Sequence, residues 1–191
     1  MHPKSVQKVA GVLNVLVIIA LLCNLIALFL VPGFVYFRAG GPDTMTFSQF
    51  QAIFAYEGHE AVGHLIAIYL REVWRQPYTA VLTLFLLFSG VCTTVILMQA
   101  LLVLECILAN RPFCEENARA LHRAAVCGFL ISTAALARVA FSVCYYRSAA
   151  PLLTYNALFV PIFAMFGLLC LVMSALFRQA AELKAENDLT I

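Results

Sequence analysis

Charged residues are scarce in this chain of 191 residues, where Asp, Glu, Lys and Arg make up only 12% of the sequence. Soluble domains carry about 25% charged residues and use them to cover a water-facing surface. Because 63% of the residues here are hydrophobic, the chain is predicted to be embedded in lipid. The net charge of +2 is too small to indicate direct binding of nucleic acid.

The cysteine patterns of disulfide frameworks and metal knuckles are also missing. Seven cysteines are scattered through apolar runs, and no two of them form a Cys-x-x-Cys pair, so neither a zinc knuckle nor a thioredoxin-like site is predicted. Most of them are expected to pack between helices as small apolar side chains. Cys114 precedes a predicted helix, where it is interpreted as an ordinary loop thiol or, alternatively, as a redox-sensitive one.

No phosphate-binding loop, nucleophile elbow or pair of intramembrane carboxylates is found, so neither an enzyme nor a proton-coupled transporter is expected, and no cofactor is predicted. The nearest approach to a catalytic motif is the pair His59 and His64. In H-E-x-x-H zinc proteases the two histidines are four residues apart and share a helix face, whereas a spacing of five separates them by about 140°. We interpret the pair as part of a solvated polar face, with incidental metal binding or pH sensing as the alternative.

Four charge-poor runs are long enough to cross about 30 Å of hydrocarbon as helices. They are predicted at about 9–31, 78–104, 124–146 and 152–177. Pro32 and Gly33 are expected to stop the first span, and Pro151 and Pro161 to trim or kink the start of the fourth. The first run exceeds the roughly 7–15 residues of a signal-peptide core and is predicted to stay as an anchor. The predicted fold is an all-α, polytopic, single membrane domain over 1–191 with its four helices in an antiparallel bundle.

The polar segment 43–76 between the first two spans is predicted to be helical and amphipathic. Phe47, Phe50 and Phe54 recur there at helical spacing, which is typical of a helix with one apolar face. One or two such helices are expected to lie on the outer membrane face or over the mouth of the bundle.

Positive charges in the loops predict the orientation of the chain. With both termini in the cytoplasm, the inner side carries more of these charges: Lys4, Lys8, Arg111, Arg119, Arg123, Arg178 and Lys184. The outer side then carries Arg38, Arg71, Arg75 and Arg147. A multi-pass inner-membrane protein with both termini cytoplasmic is therefore predicted.

Two charged segments are predicted on the cytoplasmic side, namely the loop 105–123 and the tail 178–191. Because spans three and four are joined by a very short turn, the inner extensions of these spans are expected to be neighbours. The two arginines of the loop are then expected to face the two glutamates of the tail in weak, exposed pairs. The predicted docking face consists of Arg119, Arg123, Glu182, Glu186 and Asp188.

Arg138 is the one charge inside a predicted span. It lies about 13 Å below the outer boundary at Arg147, which is too deep for its side chain to reach water fully. It is expected to face the bundle, with polar candidate partners at similar depth: Asn24, Ser89, Tyr155 and Asn156. Three interpretations stand, namely a polar layer that fixes helix register, a ligand or lipid-headgroup site that opens outward, and snorkelling without a partner.

Small and weakly polar side chains along the spans are expected to mediate contacts between helices. Groups of this kind form interhelical hydrogen bonds of about 0.6 kcal/mol each in membranes, and the expected ones are Asn14, Thr83, Thr93, Thr94 and Ser132. The same small residues and the cysteines favour a homo-oligomer, although nothing sets a copy number.

Two segments resemble a bacterial family, the domain-of-unknown-function 2975 family. Asn110-Arg111-Pro112-Phe113 with Glu115-Glu116-Asn117 is similar to its NPFTEENV loop, and AELKAENDLTI at 181–191 is similar to its closing ELKEENDLTI. The resemblance implies a small four-helix inner-membrane protein without an established activity, and a helix-turn-helix regulator as candidate partner. One departure is Cys114, where the family usually has Thr or Ser, whose hydroxyl is a better helix cap than a thiol.

The predicted function is that of a non-enzymatic interaction or regulatory protein. It would dock a cytoplasmic partner through the loop 110–123 and the tail. The alternative is a carrier or binding protein for a small molecule or lipid, with an outward-facing site near Arg138 and membrane lipids as partners.

Overall fold

Helices make up nearly all of the chain that is described by the computed structural model, which covers residues 3–38, 74, 77–109 and 114–188. The long helices are α1 (Pro3–Arg38), α2 (Pro77–Leu108), α3 (Glu115–Tyr146) and α4 (Phe159–Asp188). Each contains a segment long and apolar enough to cross a membrane. This confirms the all-α class and the four membrane-span-like helices. The predicted amphipathic segment, with His59 and His64, lies outside the described residues apart from Trp74.

Prolines shape the helix ends, though in one case not as expected. α2 begins at Pro77, a position where the missing N–H has no helical partner to lose. The regular part of the fourth span begins at Phe159, because the preceding residues form two 3₁₀ turns, Ala150–Leu153 and Tyr155–Leu158. The first candidate span ends at Val31, as predicted, although α1 itself continues through Pro32 and Gly33 to Arg38. Helices in lipid tolerate proline because unwinding would leave further backbone groups unsatisfied.

α3 and α4 form the most intimate contact of the fold. The Ser132 hydroxyl donates to the carbonyl oxygen of Val160 at 2.8 Å, and the Ser174 hydroxyl donates to that of Ala118 at 2.6 Å. Residue numbers thus rise on one helix as they fall on the other, so the two helices run in opposite directions. Between these bonds the helices approach closely through small residues, a usual device in membranes.

The remaining neighbours follow the order of the chain. α1 contacts α2, and α2 contacts α3, whereas among the described residues α1 and α4 share no broad interface. The Tyr78 ring lies 5.5 Å from that of Tyr146, and Cys106 lies beside Glu116 at the other end of the same pair. α2 and α3 therefore also run in opposite directions. α3 is the most buried span, and Ala124 and Ala125 of α3 form a small core with Cys170 of α4.

The end of the helices at which α1 begins and α4 ends is called the termini end here. At this end α4 extends past its neighbour. Because Ser174 bonds to Ala118, the start of α3 at Glu115 is level with about Phe177. The segment Arg178–Asp188 therefore continues beyond α3 by about 16 Å at 1.5 Å per residue. We call this segment the α4 overhang.

The overhang corrects the expected ion pairs between Arg119 or Arg123 on the loop and Glu182 or Glu186 on the tail. Arg119 instead pairs with Glu115 at 2.7 Å, and Glu182 pairs with Arg178 at 3.1 Å, each within its own helix. In the observed register Glu182 lies about two turns beyond Arg119, which is out of reach for the two side chains. An ion pair between residues i and i+4 of one helix forms whatever the register between neighbouring helices.

Candidate ligand site around Arg138

Arg138 lies on α3, two turns before that helix ends, and faces α2. The central carbon of its guanidinium group is 4.6 Å from the centroid of the Phe85 ring, an arrangement typical of a cation–π contact. The nearby Ser142 hydroxyl donates to the backbone carbonyl of Arg138 at 3.0 Å. The serine therefore closes a turn of its own helix and leaves the guanidinium group without that partner.

The charge of Arg138 has no counter-charge in the part of the chain that the structure describes. Its Nε atom is buried without a hydrogen-bond partner, and the ion pairs found in the described ranges, Arg119–Glu115 and Arg178–Glu182, lie at the termini end. Placing an arginine within the hydrocarbon costs about 2.5–3.5 kcal/mol on insertion scales. The Phe85 ring offsets part of this cost but supplies no negative charge.

Two cavities meet at Arg138. The first, of about 450 Å³, lies between the end of α3 and the 3₁₀ turns, where Tyr78, Tyr146 and Thr154 form part of its wall. The second, of about 270 Å³, lies among all four helices. Arg138 and Asn156 line both of them. Arg138 therefore borders two adjoining spaces.

The second cavity has a mostly apolar lining with a few polar residues in it. Asn24, Ser89 and Asn156 line it together with Arg138, and the apolar lining includes Leu28 and aromatic rings at the start of α4. The Ser89 hydroxyl oxygen is buried and has no hydrogen-bond partner. A molecule with an anionic or hydrogen-bonding head and a hydrocarbon body matches this lining.

Three of the residues proposed from the sequence therefore share a cavity wall with Arg138, but they do not bond to it. Asn24 is engaged elsewhere, since its amide donates to the carbonyl oxygen of Gly90 at 3.0 Å and to Thr94 Oγ1 at 2.9 Å. The Asn24 amide therefore joins α1 to α2 and does not bond to Arg138.

Tyr155 lies apart from this group, which corrects its place among the candidates. Its side chain is 75% exposed, and its ring lies 6.5 Å from that of Phe159. Consecutive residues of a 3₁₀ turn point about 120° apart, so Asn156 lines the cavity whereas Tyr155 does not.

Phe85 is a side-chain contact of the Arg138 guanidinium group that the sequence analysis missed. It lies eight residues after the start of α2 at Pro77, and Arg138 lies eight residues before the end of α3 at Tyr146. Because α2 and α3 run in opposite directions, these equal distances place Phe85 and Arg138 at the same depth, and this could have been used to predict their contact. It was overlooked because the search for partners considered polar residues alone.

The sequence profile of a family described as "Protein of unknown function (DUF2975)" matches residues 51–191. The chain belongs to this family. The matched range contains the loop and tail motifs that resemble it, and it includes α2, α3 and α4. Neither the curated proteins nor the solved structures gave a match to the chain. The DUF2975 description names no activity, so the function is argued from the cavities and the helix geometry.

Proposed function

We propose that this DUF2975 protein binds an anionic amphiphile, such as an acidic phospholipid, with its head at Arg138 and its chain in the cavity among the four helices. The observation that carries the proposal is the buried guanidinium group without a carboxylate among the described residues. Guanidinium groups bind phosphate and carboxylate groups through paired hydrogen bonds. A bound headgroup would supply the missing negative charge.

The open contact between α1 and α4 supports an entry route for such a ligand. Among the described residues these helices share no broad interface, while Leu28 of α1 and Phe163 of α4 both line the cavity. In our proposal the four helices form an antiparallel bundle whose α1–α4 side admits a lipid chain from the bilayer. The protein acts by binding, without catalysis, and a carrier role is the stronger form of the same proposal.

The test is lipid retention by the full-length protein, with palmitoyl-oleoyl phosphatidylglycerol as the anionic probe and phosphatidylcholine as the neutral one. The protein is purified from mixed bilayers of both lipids, and the lipids that remain bound are counted by native mass spectrometry. We expect retention of the anionic lipid, its loss in Arg138→Gln, and wild-type retention in Arg178→Gln. The second variant removes the same charge from an exposed position on the overhang.

Equal retention by Arg138→Gln and the wild type would refute the proposal. It would also fail if the wild type retained no anionic lipid while Arg138→Gln lowered the unfolding temperature. In that case the guanidinium group has a structural role, and a group of the protein itself supplies its negative charge.

We propose a second function for the termini end, supported by the α4 overhang. A charged helix that extends past α3 exposes side chains to a partner, as at Leu183, which is 62% exposed. The predicted orientation, in the inner membrane with both termini in the cytoplasm, makes this a cytoplasmic surface. The family resemblance supplies the proposed partner, a soluble helix-turn-helix regulator. Arg119, Arg123, Glu182, Glu186 and Asp188 remain the proposed docking face, with its tail residues on the overhang.

This second function is tested by deleting residues 186–191 and measuring co-purification of a helix-turn-helix regulator of the kind that the family resemblance implies. We expect the truncated protein to accumulate in the membrane at the wild-type level and to lose the regulator. A truncated protein that retains the regulator, or one that no longer accumulates, would contradict a docking role for the tail.

A further inference from the structure

Three potential metal ligands converge at the termini end, far from Arg138. The Sγ atoms of Cys106 and Cys114 and a carboxylate oxygen of Glu116 all lie within 4.8 Å of one another. The Cys106 thiol donates to Glu116 Oε2 at 4.0 Å. Cys106 belongs to the last turn of α2, Glu116 belongs to the first turn of α3, and Cys114 immediately precedes α3.

Local structure leaves the Cys114 thiol available as a ligand. Cys114 occupies the N-cap position of α3 in an extended conformation, with φ −127° and ψ 150°, and its side chain makes no capping hydrogen bond. Neither Cys106 nor Cys114 is in a disulfide, and both are of intermediate exposure. A solvent ion can therefore reach all three ligands without unfolding either helix.

We propose that Cys106, Cys114 and Glu116 bind a borderline-soft divalent transition-metal ion, with Zn²⁺ as the leading candidate. Zinc binds thiolate sulfur at about 2.3 Å and carboxylate oxygen at about 2.0–2.2 Å in a tetrahedron. Such a tetrahedron has edges of roughly 3.5–3.8 Å, so the three atoms need to close by about 1.3 Å at most. Two thiolates disfavour Mg²⁺ and Ca²⁺, which prefer all-oxygen sites.

The site supplies three protein ligands, so a water molecule completes the tetrahedron. Partly exposed sites with an open position exchange their ion more readily than closed structural sites with four protein ligands. A bound ion would tie the end of α2 to the start of α3. The site is independent of the ligand proposed at Arg138, which lies about six helical turns away along α3.

Co²⁺ serves as the spectroscopic probe, because tetrahedral thiolate coordination gives it a charge-transfer absorption band. The full-length protein, purified in detergent and kept reduced, is titrated with Co²⁺. We expect a band that saturates at one ion per chain and is lost on addition of Zn²⁺. Cys106→Ser, Cys114→Ser and Glu116→Gln should each raise the apparent dissociation constant by at least about tenfold.

Cys144→Ser is the matched control, because it removes an exposed thiol at the opposite end of α3 and should leave the titration unchanged. The proposal is overturned if the wild type gives no band, or if Cys114→Ser binds Co²⁺ as tightly as the control does.

Thiol protection in the wild-type protein gives an answer even if a variant fails to fold. Zn²⁺ should slow maleimide alkylation of Cys106 and Cys114, measured by peptide mass spectrometry, and leave alkylation of Cys144 unchanged. Equal rates with and without Zn²⁺ would exclude the site. A Cys106–Cys114 disulfide in protein that lacks this protection would replace the metal site with a redox pair.

Discussion

Asn24 and Asn14 lie at different depths on α1, and their side chains differ in hydrogen bonding. The Asn24 amide donates two hydrogen bonds to α2, whereas the Asn14 side-chain oxygen is buried without a partner. A polar group in the hydrocarbon stabilises a fold when it has a partner and costs free energy when it has none. The two residues therefore form a natural comparison.

We expect Asn24→Leu to lower the free energy of unfolding by about 1 kcal/mol, because two interhelical hydrogen bonds of about 0.6 kcal/mol each are lost. Asn14→Leu should be neutral or stabilising, because it removes an unsatisfied oxygen. Unfolding in sodium dodecyl sulfate, followed by circular dichroism from mixed micelles, measures both variants. A loss for Asn14→Leu equal to that for Asn24→Leu would show that the observed partners do not matter.

The hydrogen-bond partners of the Thr and Ser hydroxyl groups could be predicted from the sequence only in part. Thr83 and Thr93 were expected to bond between helices, but each donates to the carbonyl oxygen four residues earlier in α2. Thr94 accepts a bond from α1, and Ser132 donates to α4. Every helical threonine has the local partner available, so residue type alone does not decide which one reaches across.

At the scale of elements, Gly128 and Gly167 set the distance between α3 and α4. A Cβ atom added to Gly128 would lie 2.9 Å from Phe166 Cδ1 and 3.3 Å from the Cα atom of Gly167. The second of these contacts involves backbone, which cannot move aside without separating the helices. Gly11 on α1 offers the opposite case, because nothing lies within 4 Å of a Cβ atom there.

Gly128→Ala is expected to lower stability by about 1–3 kcal/mol, the usual cost of forcing extra volume into a packed contact. Gly11→Ala should be neutral or slightly stabilising, because alanine is the better helix former and meets no neighbour. Thermal unfolding of both variants in the same detergent tests the difference. If the two substitutions prove equivalent, the close approach of α3 and α4 is absent.

The elements themselves could be predicted well, but their register could not. Long charge-poor runs bounded by charges and prolines identify helices because lipid requires every backbone group to be bonded within its segment. How far one helix slides along another depends on which small residues meet. The bond between Ser174 and Ala118 therefore places the tail glutamates beyond Arg119, and the expected pairs between α3 and α4 did not form.

At the scale of the whole molecule, the position of Arg138 could be found by counting residues from the outer boundary. The cavities around it could not be found that way. A void is what remains after the side chains of four helices have packed, and no periodicity in a single helix reports it. Asn24, Ser89 and Asn156 were identified by depth and do line the cavity with Arg138, although as separate groups and not as a bonded layer.

The orientation of the whole chain gives a further prediction. A green fluorescent protein fused after Ile191 should fluoresce, because both termini are expected in the cytoplasm, where positive loops are retained. Alkaline phosphatase fused after Ala149, between α3 and α4, should be active, because that turn is expected outside. An active phosphatase fused at Ile191 would reverse the orientation, and the α4 overhang would then face the periplasm.

A single continuous helix, α4, connects the cavity with the termini end of the protein. α4 starts at Phe159 and passes Phe163, both on the wall of the cavity, and it ends at Asp188, about 16 Å beyond the start of α3. Its 30 residues make a lever of about 45 Å. If it pivots near its first turn, a tilt of about 5° there sweeps the far tip through about 4 Å. A displacement of less than about 1 Å beside the proposed ligand site would then become, at the far end of α4, longer than a hydrogen bond.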